Sequence, residues 1–199
     1  MHRLIVFMLM VLLAFMASGA PTSSLEIPET IVTDMTWDLQ LYPGGPNITL
    51  TGTAEKVYAK ITELNPNYDQ DWEEDLTLES DTYIFTPDAA TERVPYWVSC
   101  VRGKGARWSQ VNEGIQFLHK LRGQPHLGPH QCARVTCSGD SGIHWCNDAN
   151  YPRTLLSWNY IADAAAAVIM ECMDSHLVPF SGNVFHDDNW RAIVKGDKC

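Results

Sequence analysis

The sequence predicts an α+β protein: a β-α-β-β-α-β sandwich with an antiparallel sheet and two helices on one face, plus an N-terminal acidic extension. Three observations lead to this prediction. Apolar residues recur at helical spacing in several segments, and short β-branched and aromatic runs lie between turn signals. In addition, all six cysteines lie in the second half of the 199-residue chain. Helices that follow one another on one face of an antiparallel sheet account for this order.

The first 20 residues are typical of a secretory signal peptide. His2 and Arg3 precede an apolar run over residues 4–15, and small residues follow at 17–20. The run is shorter than the roughly 20 apolar residues that span a bilayer, which favours a cleaved signal over a signal anchor. We therefore expect a secreted, extracellular protein with no membrane span.

Charge divides the rest of the chain into two parts. Residues 21–99 contain 15 Asp or Glu and 3 Lys or Arg, whereas residues 100–199 contain 9 and 10. We expect an acidic, cysteine-free segment over residues 21–93 and a disulfide-bonded α/β module over residues 94–199. The net charge of −10 argues against a nucleic-acid partner, because phosphate contacts need a basic face.

The acidic segment contains one clear helix. Residues 48–51 alternate like a short strand, and apolar residues at helical spacing predict a helix over about residues 53–64. An Asn-Pro pair ends it, because the residue before proline avoids the helical conformation. We interpret residues 69–75 as a polar loop and residues 82–85 as a second strand.

The second part has a more regular pattern. The predicted elements are a strand over 94–101, a helix over 107–121, a hairpin of strands over 132–137 and 142–146, a helix that Ser157 caps, and a strand over 190–194. Cys172 shares the apolar face of the second helix, so it is expected to point inward to a disulfide partner.

Cysteine usage indicates a disulfide framework. An even number of cysteines in an exported protein is typical of disulfides, and six permit 15 pairings that the sequence does not choose among. A zinc site is the alternative, but the chain has no C-x-x-C pair. The expected disulfide residues are Cys100, Cys132, Cys137, Cys146, Cys172 and Cys199.

One acceptor sequence for N-glycosylation is present. It consists of Asn47, Ile48 and Thr49 and follows a turn-forming stretch of proline and glycine at residues 43–46. Exposure in such a turn favours modification of Asn47 in a eukaryotic secretory pathway.

The most suggestive catalytic string is Gly-Asp-Ser-Gly at residues 139–142. It resembles the nucleophile loop of trypsin-like serine proteases, with Ser141 as the candidate nucleophile. The residues that follow depart from that family, and helical periodicity contradicts a double β-barrel. Glycine, aspartate and serine are also typical of a hairpin turn, which is the interpretation that we adopt.

Three further sets of polar residues invite a chemical reading. His126, His130 and Cys132 have a metal-ligand spacing, the acids at 69–75 suggest calcium, and Asp187 with Asp188 suggests a glycosidase pair. Each set has a simpler interpretation. The histidines lie in a loop, the acids at 69–75 form a solvated face, and the adjacent acids at 187 and 188 point apart. We therefore predict no catalytic residue, no metal and no cofactor.

A small basic cluster precedes the helix at 107–121. Arg102, Lys104 and Arg107 surround two glycines, where an anion or a partner contact is one reading and a flexible turn the other. Seven tryptophans are numerous enough for one or two to be exposed, although most fall on inward-facing positions.

The cysteine region resembles a group of fungal proteins. The likeness rests on four segments: Cys-Ala-Arg-Val-Thr-Cys at residues 132–137, Ile-His-Trp-Cys-Asn-Asp at 143–148, the helix at 161–172 and the ending at 189–199. Over about residues 96–199 the chain resembles small secreted cysteine-containing proteins of filamentous fungi, many of which are effector candidates. More distantly, the element order and terminal cysteine resemble fungal killer toxins and necrosis-inducing effectors.

The resemblance implies a secreted, non-enzymatic protein that binds at a host or competitor surface. An extracellular hydrolase and a carbohydrate- or cell-wall-binding module are the alternatives. A hydrolase needs a cleft with titratable groups of perturbed pKa, whereas a binder needs only an exposed apolar or charged patch. The expected partner is a host or competitor protein or a surface glycan, and the chain is expected to be a monomer.

Overall fold

The fold is α+β, as predicted. The computed structural model describes residues 32–79, 96–101, 104–174 and 178–199. The predicted signal peptide at 1–20 and the predicted strand at 82–85 lie outside the described residues. The helices within those residues are α1 (Ala54–Leu64), α2 (Tyr68–Glu79), α3 (Trp108–Lys120) and α4 (Asn159–Cys172).

A six-stranded sheet forms the centre of the molecule. Its strands, in spatial order, are β1 (Val32–Asp34), β6 (Cys132–Ser138), β7 (Ser141–Asn147), β10 (Trp190–Gly196), β9 (Gly182–His186) and β4 (Tyr96–Cys100). All neighbouring pairs are antiparallel except β1 and β6, which are parallel. Among the described residues, two small ribbons lie outside this sheet: β2 (Thr36–Gln40) with β3 (Asn47–Thr51), and β5 (His126–Leu127) with β8 (Arg153–Thr154).

The structure adds strands that the sequence pattern did not predict. Strand β9 lies between α4 and β10 and pairs with β10 on one side and β4 on the other. It begins with Gly182 and Asn183, which have low strand propensity, so its pattern is too short to recognise. Strand β2 pairs with the predicted strand β3 and buries Trp37 and Leu39.

The interpretation of residues 69–75 as a polar loop was wrong, because they lie within α2. Asp69 and Asp71 occupy the first turn of this helix, where negative charge interacts favourably with the helix dipole. Tyr68 and Trp72 are one turn apart, and their rings pack edge to face with centroids 6.2 Å apart. Two aromatic anchors therefore hold a helix whose other residues are mainly polar.

Helices α1, α3 and α4 pack on one face of the sheet and form a single core with the described N-terminal residues. Trp37 of β2 stacks on Trp158 at the start of α4, with ring centroids 3.8 Å apart. Gly114 lets α3 lie directly on β6, since a Cβ there would come within 2.7 Å of the Thr136 hydroxyl oxygen. The acidic part and the cysteine-containing part thus share one apolar interior.

All six cysteines form disulfides, which confirms the expected framework. Cys172 of α4 bonds to Cys100 of β4, across the helix-covered face, as its inward position predicted. The other pairs are Cys132 with Cys146, and Cys137 with Cys199. Sequence spacing left the pairing open; strand register sets it, since Cys132 lies directly opposite Cys146.

Strand alternation gives the sheet a second face, opposite the helices. Its side chains come from Trp97 on β4, Phe185 on β9, Arg191 and Ile193 on β10, and His144 on β7. The Cys132–Cys146 disulfide packs with Ile193 there in a small cluster separate from the main core.

Candidate functional site

Residues 139–142 form the turn between β6 and β7. Gly139 has a φ of 55°, a value suited to glycine at the first central position of a two-residue hairpin turn. The Ser141 hydroxyl donates a hydrogen bond to Oε1 of Gln110 at 2.7 Å and accepts one from the backbone N–H of Arg107 at 2.8 Å. Ser141 therefore ties the hairpin to the start of α3, and His144, three residues on, faces the opposite side of the sheet.

The basic cluster lies beside this junction. Arg102 is outside the described residues, whereas Lys104 and Arg107 are exposed. The Lys104 carbonyl accepts hydrogen bonds from the Gly196 N–H at 2.8 Å and the Ser181 hydroxyl at 3.1 Å. These bonds fix the backbone while the two cationic side chains remain at the surface, and their role as an anion or partner contact stays a prediction.

Two of the three residues considered as metal ligands, His126 and Cys132, have other partners. Nδ1 of His126 lies 2.8 Å from the hydroxyl of Thr154, and Cys132 is oxidised in its disulfide. Across the described ranges, no group of three or more His, Cys, Asp or Glu side chains is arranged to hold a metal ion.

A histidine–aspartate pair lies on the second face. Nε2 of the buried His144 donates a hydrogen bond to Oδ2 of Asp197 at 3.0 Å. Burial lowers the pKa of His144, so the ring is neutral near pH 7, and its hydrogen bond lowers the pKa of Asp197 to about 2. The pair anchors the chain end beside the Cys137–Cys199 disulfide, which indicates a structural role.

A row of rings, the inner ladder, crosses three strands on the helix-covered face. It consists of Tyr96, His186 and Trp190, which lie opposite one another in the strand register. His186 stacks on Trp190 with centroids 3.6 Å apart, and Tyr96 lies 5.7 Å from His186. Burial lowers the pKa of His186 to about 4, and neither ring nitrogen has a hydrogen-bond partner among the described residues.

Of the two acids that follow His186, Asp188 is held by Arg153. Asp188 receives a hydrogen bond from Nη1 of Arg153 at 2.7 Å, and Nη2 of Arg153 donates to its backbone carbonyl. Arg153 also lies over the Tyr151 ring. The Asp188 carboxylate thus forms an ion pair that ties the β9–β10 turn to Arg153, which supports a structural role for Asp188.

A second row, the outer ladder, crosses the same strands on the second face. Trp97 stacks on Phe185 with ring centroids 4.1 Å apart and ring planes inclined by 11°. The Arg191 guanidinium lies over the Phe185 ring, 5.7 Å from its centroid. Asp148 pairs with Arg191 at 3.5 Å. Trp97 is 55% exposed despite its size, so this ladder presents an aromatic surface to solvent.

Sequence reasoning counted Trp97 among the tryptophans but did not find the outer ladder. Phe185 joins it only through β9, and β9 was not predicted. Alternation across Tyr96 and Trp97 was the available signal, because neighbouring residues of a strand point to opposite faces.

A cleft of about 600 Å³ lies between α2 and the outer side of the β2–β3 ribbon. The Arg122 guanidinium lies over the Trp72 ring, 5.8 Å from its centroid. The cleft is lined by Asp38, Leu39, Gln40, Asn47, Trp72, Arg122, Gly123, Gln124, His126 and Thr154. Sequence reasoning did not find it, because its walls come from segments far apart in the chain.

The described helices include none that is both long and apolar enough to cross a bilayer. Comparison of the chain with protein-family models, curated proteins and solved structures finds no match.

Proposed function

We propose that this chain is a secreted, effector-like or toxin-like protein that acts by binding at a host or competitor surface and does no catalysis itself. The observation that carries the proposal is the outer ladder, in which Trp97 is 55% exposed and is held against Phe185. Tryptophan and arginine are the residues that most often dominate binding energy at protein interfaces. A tryptophan this exposed has no role in the core, so a surface role is the economical reading.

The framework around Trp97 supports a binding role. Cys100, three residues further along β4, is bonded to Cys172 of α4, which fixes the edge strand to the helix layer. Phe185 and Arg191 hold positions on the neighbouring strands. Because the aromatic surface is rigid before contact, little conformational entropy is lost when a partner binds.

Export is the second part of the proposal. Disulfides persist in oxidising compartments and are rare in the cytosol, and this chain has three. The signal-peptide pattern at residues 1–20 and the acceptor sequence at Asn47 suit the same route.

The partner that we favour is a protein of the target surface. Aromatic and arginine side chains side by side, with an acid nearby in Asp148, are typical of the centre of a protein interface. A surface glycan is the second candidate, because the exposed Trp97 ring offers a face on which a sugar ring can stack.

Binding to intact cells tests the proposal. Labelled wild-type protein, Trp97→Ala and the matched control Tyr42→Ala are titrated onto host and competitor cells; Tyr42 is 48% exposed and lies outside the ladder. We expect at least about tenfold weaker binding for Trp97→Ala and unchanged binding for Tyr42→Ala. Equal binding by all three proteins, or no saturable binding by the wild type, would overturn the proposal.

Pretreatment of the cells separates the two kinds of partner. Loss of the Trp97-dependent binding after protease treatment supports a protein partner. Its loss after periodate oxidation, with resistance to protease, supports the glycan instead.

A further inference from the structure

We infer that an N-linked glycan on Asn47 folds back into the cleft beside α2 and that its first sugar packs against Trp72 and Arg122. The inference rests on the proposed export, because N-glycosylation takes place in the secretory pathway. It does not rest on the outer ladder, so the two can fail separately.

Asn47 is placed as an acceptor. It begins β3, and strand alternation puts Asn47 and Thr49 on the exposed side of the β2–β3 ribbon. The Thr49 hydroxyl donates to Oδ1 of Asp38 at 2.7 Å, which orders the acceptor sequence. The side-chain amide of Asn47 makes no hydrogen bond within the part of the chain that the structure describes, so its nitrogen is available for modification.

The acceptor residue itself lines the cleft. Asn47, Trp72 and Arg122 all border the same space of about 600 Å³, which is within the usual size range of sites for small ligands. A sugar attached to the Asn47 amide therefore starts at the wall of the cleft and does not need to cross open solvent to reach it.

The lining suits an uncharged sugar. The Trp72 indole provides an aromatic surface of the kind on which sugar rings stack. The Arg122 guanidinium makes no hydrogen bond to the described residues, and its Nε and the Trp72 Nε1 are buried donors without a partner. Asp38 and Gln124 add a carboxylate and an amide. N-acetylglucosamine, the first sugar of an N-glycan, carries hydroxyl and acetamide groups that pair with both donors and acceptors.

Charge argues against a free anion in the same place. Asp38 lines the cleft, and Arg122 also interacts electrostatically with the nearby Asp69. A carboxylate wall repels an anionic ligand but accepts hydrogen bonds from sugar hydroxyls. Covalent attachment adds a high effective concentration, so a contact too weak to hold a free sugar is sufficient to hold an attached one.

The test uses protein secreted from a glycosylating eukaryotic host. Mass spectrometry establishes whether Asn47 carries a glycan, and hydroxyl-radical footprinting compares the intact protein with the enzymatically deglycosylated one. We expect oxidation of Trp72 to rise severalfold on deglycosylation, while oxidation of Trp97, which lies on the second face, stays unchanged. Thr49→Ser is the matched control, because it retains both the hydroxyl and the acceptor sequence.

Thermal unfolding gives an independent readout. Removing the glycan with Asn47→Gln should lower Tm by about 2–4 °C in the wild-type background, and by less in an Arg122→Gln background. An unmodified Asn47, equal Trp72 oxidation in both forms, or the same Tm shift in both backgrounds would overturn the inference. Binding of Asn47→Gln to target cells is expected to match the wild type, which separates this outcome from a failure of the proposed function.

Discussion

The inner and outer ladders cross the same three strands in the same register but face opposite ways. In the inner ladder the ring of Trp190 is 2% exposed and sits beneath His186. In the outer ladder Trp97 is 55% exposed, although Phe185 stacks on it almost as closely. Stacking is thus common to both ladders, and burial separates Trp190 from Trp97; Tyr96, at the β4 end of the inner ladder, is itself 49% exposed.

This difference in burial implies that Trp190 stabilises the fold, whereas Trp97 is available to bind a partner. A buried ring stabilises the fold through the water that it no longer contacts, at about 25 cal/mol per Å² of apolar surface. An exposed ring leaves much of that free energy to be gained when a partner covers it. The comparison therefore predicts a large stability effect at Trp190 of the inner ladder and a large binding effect at Trp97 of the outer one.

Alanine substitution of the two tryptophans gives the sharpest contrast. Trp190→Ala should lower the free energy of unfolding by about 3–5 kcal/mol, the usual cost of removing a buried aromatic side chain. Trp97→Ala should lower it by less than about 1 kcal/mol, because much of its ring is already in water. Urea unfolding measures both.

Trp190→Phe is the control if Trp190→Ala does not fold, since it keeps an aromatic ring beneath His186. If Trp97→Ala lowered the free energy of unfolding as much as Trp190→Ala does, the proposed difference between the two tryptophans would be wrong.

The disulfides extend the comparison to the framework behind each face. Cys100–Cys172 closes a separation of 72 residues on the helix-covered face, whereas Cys132–Cys146 closes 14 on the second face. In the chain-entropy model, replacing each pair by alanine should cost about 4 and about 3 kcal/mol respectively. Urea unfolding of the two double variants checks the order, and a greater loss for the shorter loop would show that native-state packing outweighs chain entropy here.

The fold was predictable where an element carries a complete pattern. Helices α1, α3 and α4 each show an apolar stripe that contains most of their buried residues, although Leu64 at the end of the α1 stripe is 49% exposed. The β6–β7 hairpin is marked by its turn. Strand β9 and helix α2 carry incomplete patterns, so long-range pairing and the anchors Tyr68 and Trp72 determine them.

The candidate surfaces were less predictable, because each joins residues that are distant in sequence. Trp97 was visible, but its partners Phe185 and Arg191 meet it only after β9 inserts between β4 and β10. Asn47 was recognised as an acceptor from three residues, whereas the cleft that it borders depends on Arg122 and Trp72.

Acid should weaken the inner ladder. Burial lowers the pKa of His186 to about 4, from an ordinary value near 6.5, with Asp187, Asp188 and Arg153 as the charges nearby. Because the folded protein resists protonation of His186, the neutral ring contributes to the free energy of unfolding. That contribution is fully present above about pH 6.5 and is lost as the pH falls toward 4. The ring is partly exposed, so we expect a loss of about 1–2 kcal/mol.

Urea unfolding at pH 7.5, 5.5 and 4 follows this loss. His186→Phe should reduce the pH dependence of the free energy of unfolding. The pH dependence that remains should come from the buried His144, whose pKa is also lowered. An unchanged pH dependence in His186→Phe would remove His186 from the explanation.

The smallest stability effect is expected at Ser141. The sequence there resembles a protease loop, whereas in the structure Ser141 links the β6–β7 hairpin to the start of α3. Its hydroxyl links Gln110 and the Arg107 N–H, so Ser141→Ala should cost about 1 kcal/mol through two lost hydrogen bonds. Because that hydroxyl faces the helices and the outer ladder faces away from them, binding to target cells should be unchanged. Gln110→Ala breaks one of the same bonds without touching Ser141 and should give a smaller stability loss. A measurable peptidase activity in the wild type that disappears in Ser141→Ala but persists in Gln110→Ala would instead make Ser141 a nucleophile and reverse the assignment.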